Sequence, residues 1–476
     1  DAQAQQLEAL RMAEQPLVAQ LAALGISREA IAGLWTFTTQ SIARPNGALA
    51  AYPTQAGLST SVTLQKVADQ ATLATALGAQ NFLTHVKYLV LGSFTSHAVI
   101  DPSTGLIDFM RTMSGGFNVQ PPAGAPTTTI RFWLALPNAT GPVPLAFVQH
   151  GITSWRGDVL PLADPLAAAN WASFGFDLDF HGARSKCTAD NQCASGTCDT
   201  TTGVCSGGFA PASTSSDPLA CDIAAISGDP TDCKPAISGQ CYIVVSDAFS
   251  VRVNGQQYIA DASQALRVVS DTSNAMGLAA QLAAQTVPVT PTLDVTKTGF
   301  LGQSLGAIDG AVFLSASAQP SVGVLNVGGG HLFALFATSP TFSPLVDQYL
   351  QSIGIMRGTA AYAQFAGAAS WALDAADPWS VAPELRGKPL IVQEAGMDTV
   401  IPPQFEAALS QAIYGAMGVD AMGNAQAPQT SNGALVSTYF PSATHSELLL
   451  GTATGTAEVT QALGFLTSFG AVLPAP

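Results

Sequence analysis

Short apolar runs set the rhythm of this chain from about residue 128 onward. Thr129-Ile130-Arg131-Phe132-Trp133-Leu134-Ala135-Leu136-Pro137 reads as a strand, and Leu145-Ala146-Phe147-Val148-Gln149 reads as another. A helix-compatible stretch over 160–172 leads to the strand-like 174–179. A long helix is predicted from about Asp261 to Ala284, with Leu266, Val269, Met276 and Leu282 along it. Further strand-like runs lie at 295–301, 322–327, 389–393 and 436–440. Apolar runs alternating with helices predict an α/β fold, a mostly parallel central sheet with helices on both faces.

The earlier part of the chain is less regular. Leu7, Leu10, Leu17, Val18, Leu21 and Leu24 share one face of a predicted helix over 1–25, and Ser27 can cap a second, short one. Residues 34–39 read as a strand. Strand-like Tyr88-Leu89-Val90-Leu91 and the turn cluster Pro121-Pro122-Ala123-Gly124 follow in mixed text. The expected division is an N-terminal accessory region over 1–125 and a main domain over 126–476. Two stretches break the main rhythm. Residues 184–250 form a Cys-rich insertion. Residues 331–385 are rich in Phe, Leu, Ala and Trp371 without a strand pattern and read as a helical cap. Both are expected above the carboxyl edge of the sheet, where ligands bind in open α/β sheets.

Composition narrows the function classes. Hydrophobic residues make up 47% of the 476 and charged residues only 10%, so a large core is within reach and the surface is mostly uncharged. A net charge of −15 argues against nucleic acid, which needs a basic face. It argues equally against electrostatic docking on anionic lipid, and leaves apolar contact with a lipid interface open. No uninterrupted apolar run of about 20 residues occurs, so a membrane span is not expected. The chain begins at Asp1, as expected of a trimmed product. All seven cysteines fall between 187 and 241 in a Gly/Ser/Thr/Asp-rich stretch. No C-x2-C pair occurs and no histidine lies among them. This pattern points to disulfides rather than a metal site, and to an oxidising, secreted or cell-surface setting. One thiol is left over, and the pairing is open.

The chemistry centres on Gly302-Gln303-Ser304-Leu305-Gly306, a G-x-S-x-G pentapeptide between a strand-like run and a helix-compatible one. A serine there sits exposed on a sharp turn, and Gly302 and Gly306 let strand and helix approach closely. A serine hydroxyl needs a base to take its proton and a carboxylate to orient that base. His445 follows the last predicted strand and is the base candidate. Asp398 follows the strand before it and is the acid candidate, with Glu394 as fallback and Asp374 and Asp377 behind. The order Ser304, Asp398, His445 is that of α/β hydrolases. An oxyanion hole needs two fixed N–H donors. Leu305 supplies one, and Ile152 in His150-Gly151-Ile152-Thr153 the other, with Thr153 as alternative. His150 is expected to order that loop.

On these residues the chain resembles an α/β-hydrolase carboxylic ester hydrolase. His150-Gly151, Asp179-Phe180-His181-Gly182-Ala183-Arg184, the pentapeptide, Asp398 and His445 fall in family order over about 128–470. More narrowly, Trp35-Thr36-Phe37-Thr38-Thr39-Gln40-Ser41 and Phe147-Val148-Gln149-His150-Gly151-Ile152-Thr153 resemble bacterial extracellular lipases with a virulence-factor-type lipase N-terminal region. The cysteine-rich insertion departs from that group. The resemblance implies a secreted serine ester hydrolase acting on small-molecule or lipid esters, with no metal or organic cofactor. Three alternatives stand beside it. One is peptide hydrolysis or acyl transfer on the same triad, the second polyester depolymerisation, the third a non-catalytic binding protein on a hydrolase scaffold.

Overall fold

The computed structural model describes residues 2–30, 40–414, 429–431 and 435–471. Two compact units divide the chain, Asp1–Ser41 and Ile42–Pro476. The first holds the helix Ala2–Ala23 and one turn of 3-10 helix at Arg28–Ala30. The strand expected at 34–39, and with it most of the motif beginning at Trp35, lies outside the described residues.

The second unit is built on a ten-stranded sheet. In chain order its strands are β1 Val62–Asp69, β2 Val86–His97, β3 Thr127–Pro137, β4 Val143–Gln149 and β5 Ala172–Phe176. They continue with β6 Leu293–Gln303, β7 Val322–Asn326, β8 Leu390–Ala395, β9 Gln429–Ser431 and β10 Leu435–Phe440. The spatial order is β1-β2-β3-β5-β4-β6-β7-β8-β10-β9. From β5 to β10 every neighbouring pair is parallel. The β1-β2-β3-β5 edge and the β9-β10 edge pair antiparallel.

Parallel neighbours need crossovers, and the helices that provide them cover both faces. Strands β7 and β8 are buried along their whole length, as the apolar runs that open them, 322–325 and 390–392, require. Alternation along β3 separates two cores. Phe132 and Leu134 pack with the helices Ala248–Ser270 and Leu305–Ala316 on one face. Trp133 and Ala135 pack with Ala163–Ala168 and Ala453–Thr467 on the other. This is the α/β architecture expected of the sequence, and strand order and Ser304 turn together are those of the α/β-hydrolase fold.

Two expectations shift. The boundary at 125/126 falls inside the second unit, because β2 pairs with β3 along its whole length, from Val86 opposite Pro137 to His97 opposite Thr127. The helix expected over 261–284 instead runs Ala248–Ser270, followed by a short helix Leu278–Ala283. Asp247 starts the long helix by accepting the N–H groups of Phe249 and Ser250. Side-chain turns end it. Asp271 accepts from the Ser273 N–H and Asn274 from the Met276 N–H.

The insertion carries three disulfides, Cys187–Cys198, Cys193–Cys205 and Cys221–Cys233, and Cys241 is a free thiol. It is fastened to the sheet by charge. Arg156 is buried and bridges Asp177, just past β5, to Asp232 in the Cys221–Cys233 loop. Arg131 on β3 meets the same Asp232 at 2.9 Å. Removing one partner of such a buried cluster leaves a charge uncompensated. Asp232→Ala is therefore expected to destabilise the protein by about 3 kcal/mol, read by denaturant unfolding. A loss below about 0.5 kcal/mol, the level of exposed pairs, would show that the cluster does not anchor the insertion.

Candidate active site

Ser304 stands at the turn between β6 and the helix Leu305–Ala316, with φ +57° and ψ −120°. Few non-glycine residues adopt this backbone. Its N–H is held by the Asn326 carbonyl of β7 at 3.0 Å. The neighbouring glycines allow the turn through contact distance. A β-carbon on Gly302 would come within 2.3 Å of the Gly306 carbonyl oxygen. One on Gly306 would come within 2.3 Å of the Gln149 carbonyl oxygen. Neither space admits a side chain.

The structure brings the three expected side chains together. His445 Nε2 lies 2.7 Å from Ser304 Oγ, and His445 Nδ1 lies 2.6 Å from Asp398 Oδ2. The other oxygen of Asp398 accepts the N–H groups of Val400 at 2.7 Å and Ile401 at 2.8 Å. Those two bonds fix the orientation of the carboxylate toward the imidazole. Gln303, directly before the serine, donates from Nε2 to the His445 carbonyl at 2.8 Å and so ties the base loop to the elbow.

The fallback acids serve elsewhere. Glu394 is buried within β8 and accepts from Ser410 at 3.0 Å and from Ser437. Asp377 accepts three backbone N–H groups, from His331, Leu332 and Trp379, and joins two helix starts. Asp374 accepts from Ser380 at 3.0 Å. His331 stacks on Trp379 with ring centroids 3.8 Å apart.

Leu305 and Ile152 border the same pocket as Ser304. Neither N–H is taken by a protein acceptor among the described residues. The first N–H groups of a helix are unpaired by construction, so the Leu305 N–H is free to face a developing oxyanion. Thr153, the alternative donor, does not border the pocket. Gly151 brings the loop against the elbow, where a β-carbon would sit 3.0 Å from Ser304 Cβ. His150 orders the loop. Its Nδ1 bonds the Gly151 carbonyl at 2.9 Å and its Nε2 accepts the Leu178 N–H at 3.2 Å. Complete burial lowers its pKa to about 3, so it stays neutral.

The pocket itself is small and apolar, about 30 Å³, and Phe336, Ile243 and Val251 separate it from a second apolar cavity of about 200 Å³. Residues 243–251 and the helices Leu332–Thr338, Ser343–Ser352 and Ala360–Leu373 line the second cavity, and the helix Pro378–Leu385 completes 331–385. Sequence reasoning assigned no role to Gln303, Tyr242, Asp309 or Glu406. Asp309 left a visible trace, a lone charge in the apolar helix Leu305–Ala316. Tyr242 left none, because the insertion carries no period from which its position could be read.

No family model matches this chain, and no curated protein does. Among solved structures the chain is similar to the acetyl xylan esterase from Paenibacillus sp. R4. Identity is 11% and the TM-score 0.47, over 90% of this chain and 96% of that one. Acetyl xylan esterase 1 from Thermoanaerobacterium sp. JW/SL YS485 is similar at 13% identity and a TM-score of 0.42, over 79% and 87%. An esterase from Pyrococcus furiosus is similar at 12% and 0.37, over 76% and 92%.

Acid groups packed behind the triad are held neutral. Burial, then the charges of Asp398 and Glu394, push Glu406 well above the usual carboxyl range while its Oε2 accepts the Ala395 N–H at 2.7 Å. Burial, then the charge of Glu447, raises Glu458 from 4.5 to about 8. A carboxyl whose folded pKa is raised binds more protons when folded. Its contribution to stability is complete below pH 4.5 and is lost as pH rises toward and through about 8. Glu458→Gln is therefore expected to gain stability relative to the parent between pH 5 and pH 8, on the order of 3 kcal/mol at the upper end. Parallel denaturation curves across that range, with no change in the gap, would contradict this.

Proposed function

We infer that this protein is a secreted serine carboxylic ester hydrolase of the lipase and esterase type, acting through an acyl-enzyme. The observation that carries the reading is the unbroken relay from Ser304 Oγ through His445 to Asp398, at 2.7 and 2.6 Å. Ser304 Oγ attacks the ester carbonyl carbon as His445 Nε2 takes its proton. Asp398 holds the Nδ1–H tautomer and stabilises the imidazolium that forms. The carbonyl oxygen gains charge against the Leu305 and Ile152 N–H groups. Collapse of this tetrahedral species breaks the C–O bond, and His445 gives its proton to the departing alkoxide. Water then attacks the acyl-enzyme with His445 as base, the acid leaves and Ser304 regains its proton.

Apolar lining at the nucleophile supports an ester whose acyl part is largely hydrocarbon. Exposed Leu345, Ile353 and Met356 on the helical segment support approach to a water-insoluble lipid ester. Three disulfides support an oxidising compartment, and no described helix is long and apolar enough to cross a membrane.

Ser304→Ala is expected to reduce kcat for short-chain p-nitrophenyl esters by at least about 10⁴-fold, and Asp398→Asn by about 10⁴-fold through the wrong imidazole tautomer. Near-parental turnover by purified Ser304→Ala would remove the assignment.

A further inference from the structure

The pocket beside Ser304 is apolar on all but one wall. Leu335, Phe336 and Ile401 line it, and Asp309 with Tyr242 forms the exception. Asp309 is 2% exposed. The Tyr242 hydroxyl donates to its Oδ2 at 2.6 Å. Its Oδ1 accepts no hydrogen bond from any described residue, and Gly255 leaves room for it, since a β-carbon there would come to 3.2 Å. An oxygen of a buried carboxyl left without a protein partner at a pocket is costly unless something in the pocket meets it. Asp309 lies five residues beyond Ser304 on the elbow helix, about 7.5 Å along its axis at about 1.5 Å per residue. Ser304 and Asp309 border the same pocket.

We propose that Asp309, held by Tyr242, binds a hydroxyl on the acyl chain, so that the preferred substrates are esters of short hydroxy acids. Three features select a hydroxyl. The pocket is too small and apolar for a hydrated ion, and a cation there would need full charge compensation. Burial raises Asp309 to about 7, so near neutral pH it is present both as acceptor and as donor. A hydroxyl donates and accepts, and so matches both forms; an ammonium only donates and an ether only accepts. Separation along the helix places the hydroxyl a few carbons from the carbonyl.

This inference rests on the ester-hydrolase reading, and the test separates the two. Methyl butyrate, its 3- and 4-hydroxy forms and methyl 3-aminobutyrate are supplied to the intact protein, and acid release is followed in a pH-stat. At least one hydroxy ester is expected to exceed butyrate in kcat/KM by about tenfold, the effect of one hydrogen bond to a buried polar group. Within Asp309→Leu, the same ratio is expected to fall to about one. If that variant does not fold, product inhibition of the parent replaces it, with 3-hydroxybutyrate expected to bind more tightly than butyrate. Butyrate hydrolysed as fast as both hydroxy forms overturns the inference alone, as does an amino ester that outruns them or a ratio that survives Asp309→Leu. No turnover of any ester overturns the ester-hydrolase reading and this inference with it.

Discussion

The turn at Ser304 holds an L-residue in left-handed backbone, at φ +57°, a conformation that costs on the order of 1–3 kcal/mol. It persists because its surroundings leave no alternative. Asn326 of β7 fixes the Ser304 N–H. Gly302, Gly306 and Gly151 bring strand, helix and oxyanion loop to distances that a β-carbon would forbid. The parallel strands β4, β6 and β7 lie side by side under that turn, and the loops after β8 and β10 carry Asp398 and His445 to it. Both sides of the proposed chemistry, the nucleophile Ser304 and its oxyanion donors, hang on this one close approach.

Around it the protein treats its buried acids in two opposite ways. Asp398 receives two backbone N–H groups and faces the imidazole. Glu406 and Glu458 are kept neutral by burial and neighbouring charge. A neutral carboxyl beside Asp398 adds no like-charge repulsion there, whereas an ionised one would. Asp309 belongs to the same buried set, but it borders the pocket, and one of its oxygens has no hydrogen-bond partner among the described residues.

What the sequence made legible was local. Parallel strands show as short apolar or β-branched runs, and the runs at 145–149, 295–301, 322–327, 389–393 and 436–440 lie within two or three residues of β4, β6, β7, β8 and β10. The elbow was legible because its glycines and serine are consecutive, and the acid and base because each follows a strand end. The rest depends on contacts between distant residues. No local signal shows that 86–97 pairs with 127–137, and the turn cluster at 121–124 lies next to the boundary expected at 125/126. The break after Ser270 lay in Asx turns hidden beneath a helical periodicity that continues past them. Disulfide pairing and the meeting of Tyr242 with Asp309, 67 residues apart, are facts of tertiary structure alone.

In the proposed mechanism Ser304 forms a covalent acyl intermediate. Mixing the protein with a slowly deacylating ester such as p-nitrophenyl trimethylacetate, quenching in acid and locating the adduct by peptide mass spectrometry tests it directly. One trimethylacetyl group per chain is expected, on the peptide that contains Ser304. Hydrolysis of the ester with no adduct, or with the acyl group on another residue, would contradict the account.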